Sequence, residues 1–125
     1  VSVLRLTHKA LKKISSGQVK HDATCVVKFY SNGCPMCHNL KEYYEDLSNN
    51  EEYEGVQFYA FNIDQNPDVQ SDFGFSGVPT IAVVNTYNSR RVPKINILAD
   101  PDDPNEHTFY RIRDIQNFIN ENRDD

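Results

Sequence analysis

The sequence predicts an α/β fold, a central mixed five-stranded sheet flanked by helices on both faces in the order βαβαβαββα. Three observations predict it. An apolar run, Cys25-Val26-Val27-Lys28-Phe29-Tyr30, hands over to a helical stripe, Leu40, Tyr43, Tyr44 and Leu47, spaced i, i+3, i+4, i+7. Strand-like and helix-like segments then alternate, as crossovers between parallel strands require. Near the end, Asn88-Ser89-Arg90-Arg91 reads as a hairpin turn, which joins antiparallel neighbours and makes the sheet mixed.

Val1 to Leu6 alternates loosely and reads as a short strand. Thr7 is placed to cap a helix through Ala10, Leu11 and Ile14, which Ser15-Ser16-Gly17 ends. Ala23 to Tyr30 is a strand buried on both faces. The cysteine-bearing helix follows and gives way to Ser48-Asn49-Asn50-Glu51-Glu52, read as a solvated loop. Gly55 opens a third strand, Val56 to Ile63. Asn66-Pro67-Asp68 supplies a cap, a first-position proline and a first-turn acid for a short helix to about Phe73, stopped by Gly74. Ile81 to Val84 is the fourth strand, and a fifth ends near Leu98. Asp100 to Glu106 is too rich in Pro and Asp to be anything but loop. Ile112, Ile115, Phe118 and Ile119 mark a closing helix, with Asn120 to Asp125 expected to fray.

With 125 residues, the chain is expected to form a single domain, residues 1–125, around one core. A net charge of −5 at pH 7 argues against nucleic acid as a partner. No apolar run approaches the ~20 residues of a membrane span. Three cysteines, a close pair and one more, fit a reducing compartment better than a stapled secreted scaffold. The expected location is the cytoplasm, a host cell's for a viral chain, with a secretory compartment as the alternative. The chain opens on Val1 without an initiator Met, so trimming is expected and removal of a signal segment stays open.

The chemistry concentrates in Ser31-Asn32-Gly33-Cys34-Pro35-Met36-Cys37-His38, where a strand hands over to a helix. Free N–H groups and the positive dipole end of that helix would stabilise a Cys34 thiolate. Pro35 suits the first turn, where its missing N–H costs nothing. The Pro35-Met36 spacer lets Cys37 reach Cys34, so a disulfide can form and break between them. This is a redox centre.

Three stretches resemble the thioredoxin superfamily: Val26-Val27-Lys28-Phe29-Tyr30 before the cysteine pair, Phe61-Asn62-Ile63-Asp64-Gln65-Asn66-Pro67, and Phe73-Gly74-Phe75-Ser76-Gly77-Val78-Pro79-Thr80. The resemblance runs from about Val3 to Asn122 and implies the thioredoxin fold. It also implies a cis Val78–Pro79 peptide lying against Cys34, with the Val78 backbone free to pair with an extended substrate segment. Gly33 and Tyr30 replace the family's usual tryptophans, and Glu42 replaces the proline that kinks the active-site helix. Pro35-Met36 is closer to the Cys-Pro-x-Cys of glutaredoxins, yet Asn85-Thr86-Tyr87-Asn88 stands where their Gly-Gly-x-Asp stretch would be. The family's buried acid behind the cysteines and its neighbouring lysine are matched here by Lys28 and Ala60. Lys28 then either tunes the Cys37 thiol as a charge, accepts its proton when neutral, or extends its ammonium to water and does neither.

Cys34-Pro35-Met36-Cys37-His38 also matches the c-type haem attachment pattern, but the chain's one methionine lies inside the motif, leaving His8, His21 or His107 as sixth ligand. Zinc on Cys34 and Cys37 would need two further ligands, for which the sequence offers Cys25 and His38. The thioredoxin-like context disfavours both, so no metal and no organic cofactor are expected. Cys25 reads as a small core residue and His38 as exposed.

The function expected is that of a thiol–disulfide oxidoreductase reducing protein disulfides, with Cys34 as nucleophile and Cys37 as resolving thiol. Substrate proteins would dock across Tyr30, Gly33, Pro35, Met36, Val78 and Pro79. Thioredoxin reductase or glutathione would recycle the pair, and the chain would act as a monomer. A disulfide oxidase or isomerase in an oxidising compartment is one alternative. A thioredoxin-like adaptor, whose redox activity is secondary, is the other. The acidic loop, Asp100 to Glu106, is expected to border the substrate groove and favour basic partners.

Overall fold

Strand β2 (Ala23–Tyr30) is the centre on which the other elements are hung. Its Val-Val-Lys-Phe core is buried, as a strand covered on both faces must be. It pairs in parallel with β3 (Gln57–Asn62) and antiparallel with β4 (Thr80–Thr86), so Val27 lies opposite both Tyr59 and Ala82. Adding β1 (Leu4–Arg5) and β5 (Lys94–Ile97) gives a five-stranded mixed sheet in the order β1-β3-β2-β4-β5. The computed structural model describes residues 3–89 and 91–125. The architecture is the one the sequence predicts.

Alternate side chains of β2 point to opposite faces. Val27 and Phe29 join Leu11 and Ile14 of α1 (His8–Ser15) and Val69 of α3 (Val69–Phe73) in one core. Val26 faces the other way, into a core with Leu40, Tyr44 and Leu47 of α2 (Pro35–Ser48) and Ile115, Phe118 and Ile119 of α4 (Ile112–Asn122). Lys28 shares the parity of Val26 and therefore points toward α2. Tyr44 anchors that helix to the sheet: its hydroxyl donates to the Tyr59 carbonyl at 2.7 Å, with the Val26 carbonyl at 3.1 Å. Thr7 caps α1 as expected, its hydroxyl accepting from the Ala10 N–H at 3.1 Å.

Several boundaries differ from the sequence reading, each for a local reason. Strand β1 is confined to Leu4–Arg5, an edge pairing only with Tyr59 and Ala60; Val1 and Ser2 lie outside the described residues. The stretch after α2 is not all loop. Asn50 accepts from the Glu52 N–H at 2.9 Å, starting a 3₁₀ turn over Glu51–Tyr53 that buries Tyr53 against Phe58. Helix α3 starts at Val69, because Asn66 closes a preceding turn by accepting from the Asp68 N–H at 3.1 Å. Gly74 does end it, at φ +78°. The β4–β5 connection spans 87–93, longer than a tight hairpin, and position 90 lies outside the described residues.

The C-terminal segment does not fray. Asn85, buried on β4, accepts from the Thr24 hydroxyl at 2.7 Å and from the Asp124 N–H at 3.1 Å, and donates to the Asn122 carbonyl at 2.8 Å. Arg123 donates to the Glu52 carbonyl at 3.0 Å and pairs with Asp125. Among the described residues no helix is long and apolar enough to cross a membrane.

Asn85→Ala leaves the buried Thr24 hydroxyl and two backbone groups without partners. We expect a loss of roughly 1–3 kcal/mol in denaturant unfolding, together with faster amide exchange in the last turn of α4.

Candidate active site

The turn between β2 and α2 delivers two sulfurs to the end of the sheet. Cys34 occupies the N-cap of α2, and the Cys37 N–H donates to its Sγ at 3.1 Å. Cys34 and Cys37 are joined as a disulfide, with Cα atoms 5.3 Å apart. The pair is asymmetric: Cys34 is partly exposed, whereas Cys37 is 2% exposed. A bulky partner therefore reaches Cys34 alone. The N–H of Cys37 points at the sulfur where negative charge would reside, the arrangement by which a helix N-terminus stabilises a thiolate.

The Val78–Pro79 peptide is cis, and the Val78 carbonyl lies 3.8 Å from Cys34 Sγ. Pro79 is buried and Val78 partly exposed, and among the described residues no group accepts the Val78 N–H. The turn is fixed by Thr80, which donates to the Gly77 carbonyl at 2.8 Å, and by the Gly77 N–H, which donates to Gln70 at 2.9 Å. Gly77 has φ +93°, a conformation that suits glycine. On the other flank of Cys34 the surface is low, since a Cβ on Gly33 would meet nothing within 4 Å. Pro35 is exposed and Met36 partly so. Gly33, Cys34, Pro35 and Val78 thus present backbone and sulfur on one open face.

The sequence reading missed what holds this face. Asn32 is fastened at three points. Its N–H donates to Asp64 at 3.0 Å, its side-chain oxygen accepts from Asn62 at 3.0 Å, and its carbonyl accepts from His38 Nε2 at 2.8 Å. Asp64 is held in turn by its own N–H donating to Asn62 at 2.9 Å. His38 is exposed, as expected, but its Nε2 carries the proton in this contact and staples α2 back to the turn. The available signal was the Asn62-Ile63-Asp64 stretch at the end of β3, whose short polar side chains suit backbone capping.

Lys28 lies behind the disulfide. It is 4% exposed, and its ammonium sits 5.2 Å from the ring centre of Tyr44 and 5.6 Å from that of Tyr30. It lines a cavity of about 420 Å³ together with Cys37, Tyr30, Asn32, Arg5 and Lys41, and Ala60 leaves the far wall low. Burial, helped by the nearby positive charge of Lys41, pushes the Lys28 pKa down to about 8, with Glu45 acting weakly in the opposite sense. Lys28 and Tyr30 line the cavity with Cys37, whereas the Val78 carbonyl meets Cys34.

Cys25 is buried, and desolvation raises its thiol to about pKa 11, so it is an inert core group. Along β2 it stands five residues from Tyr30, roughly 16 Å of strand from the active-site end. Among the described residues no three His, Cys, Asp or Glu side chains converge to hold a metal ion. The acidic loop is structured at its end: Asn105 accepts from the His107 N–H at 2.8 Å, and Asn39 of α2 donates to the His107 carbonyl at 2.9 Å. These bonds set the loop beside the helix that carries the cysteines.

The sequence profile of the thioredoxin family matches residues 5–97. The chain is 30% identical over 70 residues to a thioredoxin of Rickettsia bellii, covering 56% of this chain and 66% of that protein. It is 32% identical over 77 residues to a thioredoxin of Borreliella burgdorferi, covering 61% of this chain and 62% of that protein. The matches thus span somewhat under two thirds of these relatives' length. Among solved structures, a thioredoxin of Malassezia sympodialis superposes with a TM-score of 0.67 at 16% identity, covering 98% of this chain and 92% of that one. The Trx4 domain of ERdj5 gives 0.70 at 16% identity, covering 96% and 94%. At these identities the superpositions speak for the fold.

Because the pKa of Lys28 is lower in the folded than in the unfolded chain, the unfolded state binds the proton more tightly between about pH 8 and the ordinary lysine range. Stability contributed by this group therefore rises with pH across that window, and the full penalty, roughly 3 kcal/mol, applies below it. Lys28→Met should stabilise the fold by about 1–3 kcal/mol at pH 7, with the gain vanishing toward pH ~10. Urea unfolding of both proteins at several pH values measures this.

Proposed function

The chain belongs to the thioredoxin family, and on that premise we propose that it is a thiol–disulfide oxidoreductase that reduces protein disulfides. The observation that carries the proposal is the Cys34–Cys37 disulfide, its accessible sulfur at the helix N-terminus and beside the Val78 carbonyl. In the reduced protein, the Cys34 thiolate attacks one sulfur of the substrate disulfide. A Cys34–substrate disulfide forms, and the other substrate sulfur leaves as a thiolate and takes up a proton. Cys37, once deprotonated, attacks Cys34 Sγ. The internal disulfide reforms and the substrate leaves with both sulfurs reduced. Two electrons pass from the pair to the substrate, and an external thiol reductant, glutathione or thioredoxin reductase, returns them.

The other residues take their roles from this scheme. Val78 offers a carbonyl and an N–H that no group among the described residues accepts, so an extended substrate segment adds as a strand there. Gly33, Pro35 and Met36 leave room beside Cys34. Lys28, opening on the same cavity as Cys37, accepts the Cys37 proton when neutral, which its lowered pKa favours. Pro35-Met36 resembles the Cys-Pro-x-Cys spacer of glutaredoxins, and with Lys28 it supports a pair less reducing than thioredoxin, near roughly −200 to −230 mV. The acidic loop beside α2 supports a preference for basic substrates. A reducing compartment such as the cytoplasm suits the buried, unpaired Cys25.

Equilibration of the pair in glutathione buffers tests the proposal. We expect a reversible two-electron transition that Cys34→Ser abolishes, and Cys37→Ser should trap the mixed disulfide with a model substrate. Lys28→Met should slow release from that intermediate at least tenfold and remove the rise in its rate through pH 8. A pair that stays fixed across the whole buffer range would overturn the redox reading.

A further inference from the structure

The cavity behind the disulfide gathers positive charge against the trend of the molecule. The chain as a whole carries −5, yet the cavity is lined by the basic residues Arg5, Lys28 and Lys41 against one acid, Glu45. None of Arg5, Lys28 and Lys41 takes part in an ion pair among the described residues, where the pairs found are Arg111–Asp103 and Arg123–Asp125. Lys28 is 4% exposed, and its ammonium makes no hydrogen bond among the described residues; it meets only the faces of Tyr30 and Tyr44. A largely buried cation with no acidic partner among the described residues is costly, and a tyrosine face offsets only part of that cost.

We infer that this cavity is a binding site for a small oxyanion, a phosphate or sulfate group, seated between the Lys28 ammonium and the side chains of Arg5 and Lys41. The chemistry of the lining selects that class. Lys28 provides a deep ammonium, Arg5 on β1 a guanidinium suited to bidentate contact with oxyanions, and Lys41 on α2 a second ammonium from the opposite wall. At about 420 Å³ the space exceeds an inorganic ion, so the oxyanion group of a small organic compound also fits. A bound anion holds Lys28 protonated. Resting on the redox reading above, occupancy then removes the proton acceptor for Cys37 and slows that step.

The test uses the oxidised protein, in which no thiol chemistry occurs, so binding and the redox reading fail separately. Inorganic phosphate, sulfate and glycerol phosphate are titrated at constant ionic strength against chloride, with NMR resonances of Arg5, Lys28 and Lys41 as the readout. We expect saturable shifts at these residues, with an affinity lowered at least tenfold by Lys28→Met and several-fold by Arg5→Gln combined with Lys41→Gln. The double variant alters exposed positions only and leaves the buried Lys28 in place, so it tests the cavity independently of Lys28→Met. Tighter binding of glycerol phosphate than of phosphate identifies an organic phosphate as the ligand; equal binding identifies the free ion. Shifts that chloride reproduces, or variants that bind as tightly as the wild type, overturn the inference.

Discussion

The active-site end of the molecule depends on one contact, the Cys37 N–H donating to Cys34 Sγ at 3.1 Å. It exists because α2 begins at Pro35, directly after the N-cap Cys34, and because the rest of α2 is locked to the sheet. Leu40, Tyr44 and Leu47 fix the helix by burial, and the Tyr44 hydroxyl fixes it by direction. The turn before it is pinned by Asn32, Asn62, Asp64 and His38. A helix N-terminus aimed at sulfur is useful only while its aim is kept, and these bonds keep it.

Much of this was legible in the chain. A continuous apolar run is how a doubly covered strand looks, and the Leu40-Tyr43-Tyr44-Leu47 stripe could only be a helix beside it; β2 and α2 follow from those two patterns. The cysteine pair is local chemistry, so its place at the helix start was readable without any contact map. The misses lie where distant residues decide. Nothing within three residues of Asn85 says that it will hold Asp124 and Asn122, so the C-terminal segment reads as free. Tyr53 becomes an anchor only once Phe58 of β3 is brought beside it. Asn32 is the same case inside the site, since its partners Asn62 and Asp64 arrive from the next strand.

Lys28 shows structure and function pulling apart. A lysine at this position costs the fold free energy at neutral pH, which a methionine of similar size would not. Its depth, the two tyrosine rings and the cation-lined cavity fit the two proposed uses of the group, proton acceptance from Cys37 as the neutral amine and anion binding as the ammonium, which compete. Where relatives of this fold class set an acid, this chain sets a base, and the small Ala60 opposite leaves the space in which that base acts.

The most direct test of the central claim is the ionisation of Cys34 in the reduced protein, followed by thiolate absorbance against pH, with Cys34→Ser as the blank. Cys25 does not interfere, because its thiol is pushed up to about 11. Because the helix N-terminus and the Cys37 N–H both favour the anion, Cys34 is expected to ionise at lower pH than a free cysteine. A Cys34 that ionises like free cysteine, and is mostly protonated at pH 7, would contradict it.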